Sequence, residues 1–191
     1  GVELWAERNP IEASQWIDGM ANDGSKAIAA KALTAKWAQT EPAVAAEWVA
    51  GLPEGPVREK AKEALVQSWV MQDAKAASIW ALAEAEFNGD DDLLGETIFE
   101  FSKQSPEEAE SFVRDLAQAN YSEIAVASHV MGRAEEDPAA TAEWLARMAP
   151  TDPIYSAEYA NELMQTWAES DSIAASEWLS TQEPGQQRDA A

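Results

Sequence analysis

The chain has 191 residues, 46% of them apolar, no cysteine and a formal net charge of −22. The absence of a thiol excludes cysteine nucleophiles, thiolate metal sites and disulfides. So negative a chain repels nucleic acid and anionic membrane and favours basic partners.

In chain order, residues 2–8 read as the tail of a helix ending near Trp5, and Pro10 then opens a short helix carrying Trp16. A longer helix over 25–37 ends at Trp37. From Pro42 the apolar positions Ala45, Trp48, Val49 and Leu52 fall at i, i+3, i+4 and i+7, one stripe of a helix. Proline belongs at such a start, where its missing N–H would have no partner anyway. Gly51, Pro53, Gly55 and Pro56 stop that helix. A second stripe, Val57, Ala61, Ala64, Leu65, Ser68 and Trp69, then runs to a cap at Asp73.

The next stretch departs from this form. Ala74 stands where Pro10 and Pro42 stood, and the acidic run 84–92 reads as a loop. Pro106 opens another short helix, with Phe101 before it and Phe112 within it. Arg133 then takes a position held elsewhere by Trp, beside Gly132, so a less tightly filled seam is expected there. Pro138 precedes Trp144, and two extra residues around 149–153 predict a longer inter-helix loop. A long helix over 155–167 reaches Trp167, followed by Ser172 and Trp178. Residues 183–190 repeat the character of 54–61, the start of a second helix.

These elements form columns. Trp5, Trp37, Trp69, Phe101 and Arg133 are spaced by 32, with Trp167 after 34; Trp16, Trp48, Trp80, Phe112, Trp144 and Trp178 follow the same steps. The turn column Pro10, Pro42, Ala74, Pro106, Pro138 and Ser172 is preceded each time by a helix-capping type. A fixed period of that size marks an array of supersecondary units. No stretch alternates with period two over a strand's length. The predicted fold is all-α: a right-handed superhelix, or solenoid, of about five and a half helix-turn-helix repeats in one elongated domain over 1–191.

The hairpins resemble tetratricopeptide-like α-solenoid repeats: a proline stands six residues before the tryptophan at Pro10–Trp16, Pro42–Trp48 and Pro138–Trp144, and small residues, Ala32 and Ala64, lie in the helix near the turn. The pattern departs from that family after the tryptophan, where Trp48 is followed by Val-Ala-Gly-Leu, and in its period of 32. The resemblance implies a concave face that binds peptides or proteins.

Gly1 in place of Met, and repeats cut at both ends, lead to the expectation of a fragment from a longer array. A full-length gene with no further copies on either side would refute this. If the removed N-terminus carried an export signal the protein is exported or belongs to the cell envelope; otherwise it is cytoplasmic. No basic-then-apolar start reads as a signal peptide here, and no run of about 18 apolar residues predicts membrane insertion.

Chemistry-bearing residues are few. The single histidine, His129, falls in a column held by Leu33, Leu65 and Leu163, which reads as a packed core position and not a catalytic one. Asp90, Asp91 and Asp92 lack the alternating ligands, glycine and distal glutamate of a calcium loop. All nine tryptophans lie in the two columns, which reads as packing between hairpins and not as a sugar platform. Residues 1–75 hold 8 basic against 11 acidic side chains, and residues 76–191 hold 5 against 24, so the acidity is C-terminal. No catalytic residue, cofactor or metal is expected. The expected function is a noncatalytic scaffold docking a protein or peptide, a basic one among the candidates, with Asp90, Asp91, Asp92 and Arg133 as candidate partner-binding residues. Ala29, Ala32, Ser128 and Ser156 are small side chains over which a partner could approach. The alternatives are a helical domain of a carbohydrate-active or envelope enzyme, and a spacer in a larger surface protein.

Overall fold

The computed structural model describes residues 2–89, 91–117 and 121–181, and among these it contains helices and no strand. The chain divides into two compact units, 1–80 and 81–191. The first holds α1 (Val2–Arg8), α2 (Pro10–Asp18), α3 (Asp23–Trp37), α4 (Pro42–Gly51) and α5 (Pro56–Asn88) as far as Trp80. The second holds the rest of α5 with α6 (Asp91–Gln104), α7 (Pro106–Leu116), α8 (Ser122–Glu136), α9 (Pro138–Ala146), α10 (Ala157–Ser170) and α11 (Ser172–Thr181).

One backbone corner recurs. Asn9, Glu41, Asp73, Ser105, Asp137 and Asp171 all have φ between −155° and −139° and ψ between 64° and 89°. At five of them the N–H donates back to the carbonyl of Trp5, Trp37, Phe101, Arg133 or Trp167, closing the helix before, while the carbonyl accepts from the residue four ahead, opening the next. A single residue thus serves as C-cap and N-cap together, so two helices change direction without a loop. Four of the six also accept a hydrogen bond from the backbone N–H three residues ahead, through Asn9 Oδ1 (3.1 Å), Asp73 Oδ1 (2.9 Å), Asp137 Oδ1 (2.9 Å) and Asp171 Oδ1 (3.0 Å). Glu41 is too long for that role and instead accepts from Trp37 Nε1 at 3.4 Å.

Five of the six corners bring two aromatic rings together. Ring centroids lie 6.0 Å apart for Trp5–Trp16, 6.3 Å for Trp37–Trp48 and for Trp69–Trp80, 6.2 Å for Phe101–Phe112 and 6.0 Å for Trp167–Trp178, all tilted. Such pairs contribute about 0.5–1.5 kcal/mol beyond their buried area. The columns are not equally covered. In the first column Trp37, Trp69, Phe101 and Trp167 are buried and Trp5 is half-buried; in the second only Trp178 is buried, Trp48, Trp80 and Trp144 are half-buried and Trp16 is 48% exposed.

Three sequence expectations are corrected. Residues 84–88 are not a loop: α5 continues through Asn88 with Glu84 and Ala85 buried, because Ala, Leu and Glu favour helix until Gly89 ends it at φ +69°, and Asp91 and Asp92 already belong to α6. The seam at Gly132 is tight, not loose. A Cβ there would run into the Phe99 carbonyl oxygen and lie 2.9 Å from Ser102 Cβ, so only glycine lets α8 approach α6 this closely. Ala29 is buried and offers no surface. The resemblance of 183–190 to 54–61 lies outside the described residues.

Candidate functional site

In the second unit the departures from the repeat columns converge. Arg133 stacks its guanidinium over Trp144, 4.5 Å from the ring centroid, and His129 meets the same ring edge-on at 5.4 Å. Trp144 Nε1 donates to Glu110 Oε2 at 3.0 Å; Glu110 Oε1 accepts from Arg114 at 2.8 and 2.9 Å. Arg114 Nη1 then reaches Asp152 Oδ1 at 2.9 Å, inside the two-residue insertion. Asp152 Oδ1 also accepts from the Ile154 N–H at 3.1 Å, which pins the longer loop to α7. Burial opposes ionisation of Asp152, but the Arg114 and Ile154 hydrogen bonds and the Arg114 charge hold it below the usual carboxylate range.

His129 is fully buried, with Nδ1 2.8 Å from Ser102 Oγ. Ser102 Oγ also lies 2.6 Å from the Ile98 carbonyl, which can only accept, so the hydroxyl proton points there and His129 Nδ1–H is the donor to Oγ. Nε2 is then a bare acceptor, buried without a partner. A base must take the serine proton; a ring nitrogen that already carries a proton cannot. With Ser102 1% exposed, the pair is a packing element and not a nucleophile with its base. Burial first, then the positive charges of Arg133 and Arg114, push the His129 pKa down to about 3.

The predicted partner residues are not brought together. Asp90 lies outside the described residues. Asp91 and Asp92 are exposed in the first turn of α6, where their charge meets the positive end of the helix dipole. Lys103 of α6 pairs with Glu135 of α8 at 3.1 Å, while Asp91 and Glu123 share one concavity, so the two helices run parallel at an offset of 32. Asp91 is therefore level with Glu123, and Arg133 lies ten residues further on, about 15 Å along the axis. Arg133 is no free surface cation: its Nε and Nη1 are buried without hydrogen-bond partners. Among the described residues no group of three or more His, Asp or Glu could hold a metal ion. Sequence reasoning missed Glu110, although its column is otherwise Ser14, Ala46, Ser78 and Ala142 and one charge among small residues was a visible signal.

A different face carries the unneutralised charge. Asp91, Glu123, Ile124, Ala127 and Tyr159 line a concavity of about 370 Å³ between α6, α8 and α10. Tyr159 donates from its hydroxyl to the Glu123 carbonyl at 3.2 Å, and burial, with the negative charges of Glu123, Glu158 and Glu162, raises its phenol pKa. The four described basic side chains of this unit are engaged elsewhere: Lys103 with Glu100 and Glu135, Arg114 with Glu110 and Asp152, Arg147 with Glu143, Arg133 on Trp144. Among the described residues no helix is long and apolar enough to cross a membrane. Compared with models of known protein families, with curated proteins and with solved structures, the chain matches none.

Proposed function

We propose that this protein is a noncatalytic scaffold that docks a basic protein or peptide on the face formed by α6, α8 and α10. The observation that carries this reading is the carboxylate surplus at Asp91, Glu123, Glu158 and Glu162 around Tyr159, beside a set of described cations already paired within the unit. Carboxylates left facing solvent attract a cationic partner at long range and set its orientation. The frame we propose for it is a right-handed α-solenoid with a 32-residue repeat, similar to tetratricopeptide arrays; the recurring corners and the ring pairs that bridge them support this reading.

The test is fluorescence anisotropy with a labelled peptide bearing four lysines and an otherwise identical one bearing four glutamates, at roughly 30 and 300 mM salt. The lysine peptide is expected to bind, and to weaken as salt rises; equal binding of the two peptides would refute the proposal.

A further inference from the structure

The acidic concavity has a neighbour further along α8. On α8, Ile124 and Ala127 line it, and Met131 and Ala134 line a second cavity of about 360 Å³. These four fall at i, i+3, i+7 and i+10, one stripe of one helix. On α10, Tyr159 belongs to the first cavity and Leu163, Thr166 and Ser170 to the second, at i, i+4, i+7 and i+11. On α6, Asp91 and Phe99 lie eight residues apart and belong to the first and second respectively. Three parallel helices thus present matched stripes. The two cavities lie one after the other along the same face of α8.

Resting on the scaffold reading above, we infer that the two cavities act as one groove along α8 and that it takes an amphipathic basic segment, with lysine or arginine side chains at the Asp91–Glu123 end and apolar side chains at the Phe99–Met131 end. The polarity of the occupant follows from the groove. At one end the carboxylates of Asp91 and Glu123 have no ion-pair partner among the described residues. At the other end Glu135 is already paired with Lys103, whose ammonium lies 5.5 Å from the Phe99 centroid, so charge there is satisfied. Phe99, Met131, Leu163 and Trp167 make that end apolar. From Glu123 to Glu135 is twelve residues, about 18 Å of helix, which corresponds to an occupant of about three helical turns or of five to six extended residues. A second copy of this chain is a poor occupant, because each copy carries −22.

The probe is a synthetic helical 12-residue peptide with two lysines in its first turn and two leucines in its last, compared by anisotropy with a peptide of the same composition in scrambled order. The ordered peptide is expected to bind about tenfold or more tightly than the scrambled one. Asp91→Asn with Glu123→Gln is expected to weaken it about five- to tenfold at low salt and little at high salt. Met131→Glu, and separately the exposed Thr166→Lys, are expected to weaken it about tenfold at high salt as well as at low salt. Circular dichroism confirms that each variant is folded; Thr166→Lys carries the test should Met131→Glu fail to fold.

Ordered and scrambled peptides binding alike, or neither apolar-end variant having any effect, would overturn the groove inference while leaving the scaffold reading intact. No lysine peptide binding at all would overturn both. Self-association of the chain that Thr166→Lys abolishes would assign the groove to a second copy, and the inference would fall.

Discussion

The guanidinium of Arg133 lies over the Trp144 ring at 4.5 Å, in the place where the other corners pair one aromatic ring with another. A flat delocalised cation can occupy a ring-shaped space and gain a cation–π attraction, with its stem covering apolar surface. Arg133→Ala should therefore destabilise the second unit by about 1–2 kcal/mol. Arg133→Lys should recover less than half of that, because an ammonium does not stack. Chemical denaturation of the three proteins checks this.

His129 makes the second unit acid-sensitive. Its folded pKa of about 3 is below the ordinary 6.5, so on acidification the unfolded chain takes up a proton that the folded chain refuses. Stability from this group is intact above pH 6.5 and declines by about 1.4 kcal/mol per pH unit from there towards pH 3. His129→Leu restores the residue of Leu33, Leu65 and Leu163, and leaves Ser102 Oγ donating to Ile98. Relative to the parent chain it should gain about 2 kcal/mol on going from pH 7.5 to pH 5. Denaturant midpoints at the two pH values measure the difference; parallel slopes for the two proteins would refute it.

Gly132→Ala should cost more than about 2 kcal/mol, because the new methyl group meets the Phe99 backbone oxygen and the two helices must separate. The same substitution at Gly51, where a Cβ meets nothing within 4 Å, should stabilise slightly through helix propensity. Opposite shifts in melting temperature are the expected result.

The tryptophans should divide by burial. Trp37→Ala and Trp69→Ala remove buried rings and should cost about 3–5 kcal/mol each, while Trp16→Ala, at 48% exposure, should cost about 1 kcal/mol. Trp48 falls between, being half-buried with an indole N–H that has no partner. Acrylamide quenching of single-tryptophan variants should leave Trp37 and Trp167 protected and Trp16 open.

Much of the local architecture was legible because it depends on neighbours in sequence. Pro10, Pro42, Pro106 and Pro138 open helices for reasons of backbone geometry alone, and the residue before each marks a corner. The acidity of 84–92 suggests a loop, but Ala81 to Glu86 contains no breaker and its helix propensity prevails. The site was harder to see. In the sequence Asp91 stands out only by its charge run, and only the parallel packing of α6 and α8 sets it beside Glu123.

The sequence by itself determined the helical elements, the corners between them and the two aromatic columns, since each rests on spacings of a few residues and on capping chemistry. It also located the odd residues His129, Arg133 and the insertion holding Asp152. That these share one network through Trp144, Glu110 and Arg114 was decided only by tertiary structure. The residues lie up to 50 positions apart from Ser102 to Asp152 and meet because packing makes neighbours of side chains a repeat length apart. The same reason separates Arg133 from Asp91: both stand out in the sequence, yet one is stacked on an indole and the other lines the acidic concavity.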